Sequence, residues 1–124
     1  MSPSEPRRRV PPVSERAAEQ IADTMFALST PSRVLILGVL LRGPHSVSQL
    51  SAALGMEQSA LSHQLRVLRQ HALVSVVREG RKRVYALYDE HVVALIEEAI
   101  RHVEQRNKRG TRAPRAAARR ATQS

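Results

Sequence analysis

Polar and apolar positions alternate along this chain in two ways, at helical spacing for most of its length and in short β-branched runs near residue 80. Ala18, Ile21, Met25 and Leu28 follow a 3, 4, 3 spacing behind Ser14, which predicts a capped helix with one apolar face. "STPSRVLILGVLLRGP" offers Thr30 as N-cap and Pro31 at the first helical position, and Gly43-Pro44 stops it. Ser46 and Gln49 have the spacing of a capping box that opens a short helix, Val47 to Leu54, closed by Gly55. A turn later, "SALSHQLRVLRQHALV" sets Leu61, Leu65, Leu68 and Ala72 against Ser59, Ser62, His63, Arg66 and Gln70 on the opposite side.

"LVSVVREGRKRVYALY" then brings two β-branched and aromatic runs around Glu79-Gly80, which predicts a β-hairpin whose tip carries Arg78, Arg81, Lys82 and Arg83. Asp89 starts a last helix reaching about Gln105, with Val92, Val93, Ile96, Ile100 and Val103 on one face. The expected order is α-α-α-α-β-β-α, mainly helical. A short helix, a glycine turn and a longer helix with a polar face form a helix-turn-helix, and the hairpin after it is a wing. The fold class is therefore a winged helix-turn-helix.

The polar face of the longer helix carries chemistry that the pattern alone does not explain. A merely solvated face usually bears long charged side chains at i and i+4, whereas Ser, His and Gln bond well to the edges of another molecule. Charge points to which molecule. The formal net charge is +9, but residues 17–105 hold nine basic and nine acidic side chains. Within that neutral span, 57–83 has six basic and two acidic residues while 84–105 has one basic and five acidic. Residues 106–124 add seven Lys or Arg and no acid. A basic region and a basic tail suit a polyanion, and a separate acidic helix suits cations.

Composition removes several classes of function. With no Cys there are no disulfides, thiolate metal sites or Cys nucleophiles. Without Trp and with one Phe and two Tyr, aromatic stacking on single-stranded bases is disfavoured, and double-stranded DNA is the partner that a helix-turn-helix suits. No phosphate-cradling glycine loop, nucleophile constellation or inward carboxylate pair is present, so an enzyme is not expected. The Arg-rich start lacks the apolar stretch of a signal peptide, and the longest apolar run, Val34 to Leu41, is too short to span a membrane. A cytoplasmic protein is expected. Residues 1–12 are rich in Pro and Arg and 107–124 in Arg and Ala, which predicts disordered basic arms flanking one domain at 13–106.

Four stretches in order, "LSTPSRVLILGVLL", "SVSQLSAALGMEQSALSHQLRVLRQHALV", "REGRKRVYAL" and "DEHVVALIEEAIRHVEQ", resemble the ArsR/SmtB family of bacterial metal-responsive repressors, which are dimeric winged helix-turn-helix proteins. The resemblance covers roughly residues 17–105. It implies that Gln58, Ser59, Ser62 and His63 contact DNA. By spacing Arg66 shares their face, Gln64 lies beside them, and Arg81, Lys82 and Arg83 of the wing are expected on phosphates.

The last helix carries Asp89, His91, His102 and Gln105. Eleven residues separate the two His, almost three whole turns at ~100° each, so both point the same way with Cα atoms roughly 16 Å apart. One ion cannot join them within one helix, whereas antiparallel pairing with the same helix of a second subunit sets Asp89 and His91 beside the other chain's His102 and Gln105. The resemblance implies a metal site of this kind, with Asp89, His91 and His102 matching the family's ligands. Gln105 departs from it, since the family has Glu or His there. Water, Glu98 or a tail residue are the other candidates for that fourth place. Zinc ranks first, then cobalt or nickel. A repressor without a metal switch and an architectural nucleoid-type protein are the rival readings.

Overall fold

The computed structural model describes residues 12–110. Its elements are α1 (Glu15–Ala27), α2 (Pro31–Leu40), β1 (His45–Ser46), α3 (Val47–Leu54), α4 (Gln58–Gln70), β2 (Val74–Glu79), β3 (Lys82–Leu87) and α5 (Glu90–Lys108). Among the described residues, no single helix is long and apolar enough to cross a membrane.

Every helix except α4 starts where a side chain takes up one of the first free N–H groups; Glu57 at the start of α4 makes no such bond. Ser14 Oγ accepts from the Ala17 N–H, Thr30 Oγ1 from Arg33, and Asp89 Oδ1 from Val92. Ser46 and Gln49 form the full capping box, with reciprocal bonds of 3.2 and 2.8 Å. Gly55 ends α3 at a φ of 69°, a left-handed conformation that glycine adopts without a Cβ clash.

The core lies where α2, α3 and α4 meet the sheet. Ile36, Leu37, Leu50, Leu61, Leu65, Leu68, Leu73 and Val74 are fully buried there, with Tyr85, Val92 and Ile96 closing it from β3 and α5. Leu61, Leu65 and Leu68 recur at 4 and 3 residues, so their burial fixes the rotation of α4 about its axis.

Several expectations change. The order is α-α-β-α-α-β-β-α, because His45 and Ser46 form a short extra strand against Tyr85 and Val84 of β3. The sheet is thus three-stranded and antiparallel, in the order β1-β3-β2. The hairpin turn sits one residue further on than expected: Glu79 pairs with Lys82, leaving Gly80 and Arg81 as the loop. Of these two loop residues only Gly80 takes a positive φ, 63°, as a two-residue loop with glycine in first place does. Ala72 lies beyond the apolar stripe of α4, exposed, at a φ of 56°. Helix α5 continues to Lys108, past its expected end near Gln105. Most of the expected basic arms, 1–12 and 107–124, namely residues 1–11 and 111–124, lies outside the described residues.

The apolar face of α1 is the largest departure. Ala27 is its only buried residue, and Ile21 and Met25 are each about half exposed. Ile100 and Val103, in the second half of α5, are also exposed. Two helices with the periodicity of buried faces leave those faces open within one chain.

Candidate nucleic-acid interface and metal-ligand pairs

With its leucines locked inward, α4 turns Gln58, Ser59, Ser62, His63 and Arg66 to solvent together. Gln58, Ser62 and Arg66 line an open groove that runs to Arg83 and Tyr85 of the wing. Arg69 lines it as well; its place three residues after Arg66 was the sign of a shared face, although the sequence reading did not single it out. Wing residues Arg81, Lys82 and Arg83 line a second concavity with Ser48 and Gln49 of α3. The basic side chains thus flank the polar face of α4, where phosphates flank a base-reading helix.

Arg78 and Arg83 stand directly opposite each other on β2 and β3, and Arg69 approaches them from α4. Like charges opposite one another in a strand pair are destabilising. An anion beside them removes that repulsion.

Two members of the expected reader set have partners within the chain. Ser59 Oγ donates to the carboxylate of Glu57, the N-cap residue of α4. Gln64 is half-buried, and its Oε1 accepts from Arg33 Nη1 of α2 at 2.9 Å. The Gln64 oxygen is therefore turned toward the chain's own scaffold, away from the outward set.

The metal-ligand candidates fall at the two ends of α5. Asp89 divides its carboxylate: Oδ1 caps the helix at Val92, and Oδ2 lies 3.6 Å from His91 Nδ1. That gap is too long for a hydrogen bond. A tetrahedral ion with bonds of about 2.0 Å sets its ligand atoms roughly 3.3 Å apart, so the pair is close to the spacing one ion requires. The His91 side chain is 96% exposed and free to meet a second chain. His102 and Gln105 share a face three residues apart near the other end, both exposed. Among the described residues no three His, Asp or Glu of one chain converge as a metal site. Glu98, the alternative fourth ligand, is ion-paired to Arg101.

A helix-turn-helix made of α3 and α4, braced by a three-stranded winged sheet and presenting a polar helix face between arginines, defines a winged helix-turn-helix DNA-binding protein. Residues 30–76 match the family of bacterial regulatory proteins named for arsR. The chain is 56% identical over 93 residues to the HTH-type transcriptional regulator NmtR of Mycobacterium tuberculosis, covering 75% of this chain and 78% of that one. It is 41% identical over 88 residues to a transcriptional repressor SmtB homolog of Synechocystis, covering 71% and 67%. The solution structure of apo-NmtR superimposes with a TM-score of 0.66 at 52% identity, over 82% of this chain and 85% of that one. A homodimeric winged helix-turn-helix DNA-binding domain from Mycobacterium bovis, described as a possible ArsR-family transcriptional regulator, gives 0.67 at 29% identity, over 78% and 92%. The chain belongs to the ArsR family, and it is a DNA-binding transcriptional regulator, not an enzyme.

Proposed function

We propose that this chain is a homodimeric repressor that holds its operator through the α4 helices of both protomers and releases it when a divalent metal binds between the two α5 helices. One observation carries the reading: α5 bears two donor pairs at opposite ends of one helix whose neighbouring apolar positions Ile100 and Val103 are left open. A two-fold pairing of α5 covers those positions and brings each Asp89–His91 pair to a His102–Gln105 pair. The exposed face of α1 supports the same dimer, as does the homodimeric relative from Mycobacterium bovis.

On DNA, Gln58 at the N-terminal end of α4 is suited to adenine, Arg66 to guanine, and Ser59, Ser62 and His63 to base edges or phosphates. Arg81, Lys82 and Arg83 hold phosphates and fix the register without specifying sequence. A DNA operator as target suits a cytoplasmic protein.

Asp89, His91 and His102 are the proposed metal ligands, with Gln105 or water in fourth place. Carboxylate and imidazole without thiolate suit borderline divalent ions, and zinc ranks ahead of cobalt and nickel. When bound, the ion supplies a cross-link between the two α5 helices. The residues then favour a dimer whose reader helices are wrongly spaced for successive grooves, and by linkage DNA weakens metal binding by the same factor.

The test is to titrate zinc, cobalt and nickel into the full-length protein on a fluorescent operator and follow anisotropy. Release by at least one ion is expected. His102→Ala should keep operator binding and lose the release, and Gln105→Glu should tighten the site. Wild-type protein that holds its operator equally well with an excess of each ion would leave a repressor with no metal switch.

A further inference from the structure

Arg33 is 8% exposed, yet nothing in the DNA face or the α5 pairs uses it. It occupies the third position of α2, where the positive end of the helix dipole disfavours a cation. Its compensation comes from elsewhere. Nε donates to the Ala27 carbonyl at 2.5 Å and Nη2 to the Phe26 carbonyl at 3.4 Å, so the guanidinium is held on carbonyls at the end of α1. Its third direction is different again: Nη1 donates to Gln64 Oε1 on α4 at 2.9 Å.

One buried, planar side chain thus ties the end of α1 to the middle of the reader helix. Little else ties α1 down, since Ala27 is its only buried residue. Guanidinium suits this place because its donors leave a rigid plane in fixed directions, which an ammonium does not reproduce.

We propose that Arg33 is a positioning residue that, through Gln64, fixes the reader helix relative to α1. The inference rests on the proposed dimer only in giving α1 the partner's surface to lie on. Through this tie, the angle at which two protomers meet becomes the angle at which His63 and its neighbours meet the bases.

The experiment needs no metal, so its outcome is separate from that of the proposed switch, and dimerisation is followed independently by analytical ultracentrifugation. An operator selected by the wild-type protein from randomised duplexes is compared with random DNA for the full-length variants Gln64→Met, Gln64→Glu, Arg33→Lys and the pair Gln64→Met with Arg33→Lys. Gln64→Met removes the acceptor at nearly constant size, and it should lower operator preference about tenfold, within the range of coupled residue pairs. Affinity for random DNA should be unchanged. Gln64→Glu keeps an acceptor oxygen for Arg33 and should retain the wild-type preference. Arg33→Lys should reproduce the loss, and the double variant should be no worse than either single one.

A merely structural role would lower thermal stability without moving the preference ratio, and that result overturns the proposal. So does a Gln64→Met protein that switches its choice of base at one operator position while Gln64→Glu fails to restore it, since Gln64 would then read DNA directly. Should Arg33→Lys not fold, the Gln64 pair of variants decides alone.

Discussion

Ala72 holds a φ of 56° just after α4, a place where a Cβ costs about 1 to 2 kcal/mol. The chain keeps it there because Ala72 N–H bonds to the Arg69 carbonyl and Leu73 N–H to the Leu68 carbonyl, with Leu68 and Leu73 both buried. Ala72→Gly should therefore stabilise the protein by about 0.5 to 1 kcal/mol in urea unfolding, after the extra freedom of glycine in the unfolded chain is set against the relief. Leu65→Ala, in the same helix, should cost about 2 to 5 kcal/mol because its side chain is fully buried in the core. On the polar side, Ser62→Ala and His63→Ala should each weaken operator binding by about 1 to 3 kcal/mol where they reach base edges, without loss of fold. Unchanged operator affinity in the folded double variant would move the reading surface elsewhere. The outward set was legible in the spacing of Leu61, Leu65 and Leu68. The inward turn of Gln64 was not, because its partner Arg33 lies 31 residues away and no local pattern links them.

At the scale of the element, capping chemistry made most boundaries readable before any packing was known. Ser14, Thr30, Ser46 and Asp89 each stand where the first free N–H groups need an acceptor, and each is used so. Ser46→Ala removes one half of the capping box and should cost about 1 kcal/mol, measurable as a fall in the midpoint of denaturant unfolding. The short strand β1 escaped notice for a physical reason. Two residues cannot show a period, and the pairing of His45 and Ser46 with Tyr85 and Val84 comes from sequence some 40 positions downstream. The end of α5 was misplaced for another reason: Asn107 and Lys108 have the polarity of a tail, yet they add backbone bonds to a turn already formed, and propagation costs less than nucleation.

For the whole molecule, the open faces of α1 and α5 mean that the single chain is an unfinished hydrophobic unit. The periodicity of Ile21, Met25, Ile100 and Val103 predicts burial, yet all four are exposed in one chain, and the proposed dimer would be what covers them. The sequence beyond α5 holds Arg112, Arg115, Arg119 and Arg120, whose charge would attract DNA at long range without reading bases. Removing residues 111–124 should flatten the dependence of log K on log salt by at most about 3.6, while preference for operator over random DNA survives. Loss of that preference would make the tail the reader and favour the architectural rival. In the proposed dimer each metal site would be assembled from two chains, because the two donor pairs lie at opposite ends of α5, and that ties the metal response to the circuit in which the repressor sits. A site assembled from two chains exists only in proportion to the dimer, so the apparent metal affinity depends on how many copies the cell holds. A cell with few copies would need more metal for the same response. Gene dosage would then set the threshold of the sensor as firmly as its ligands do, and diluting the protein through its dimer dissociation constant should shift the metal titration to higher concentration.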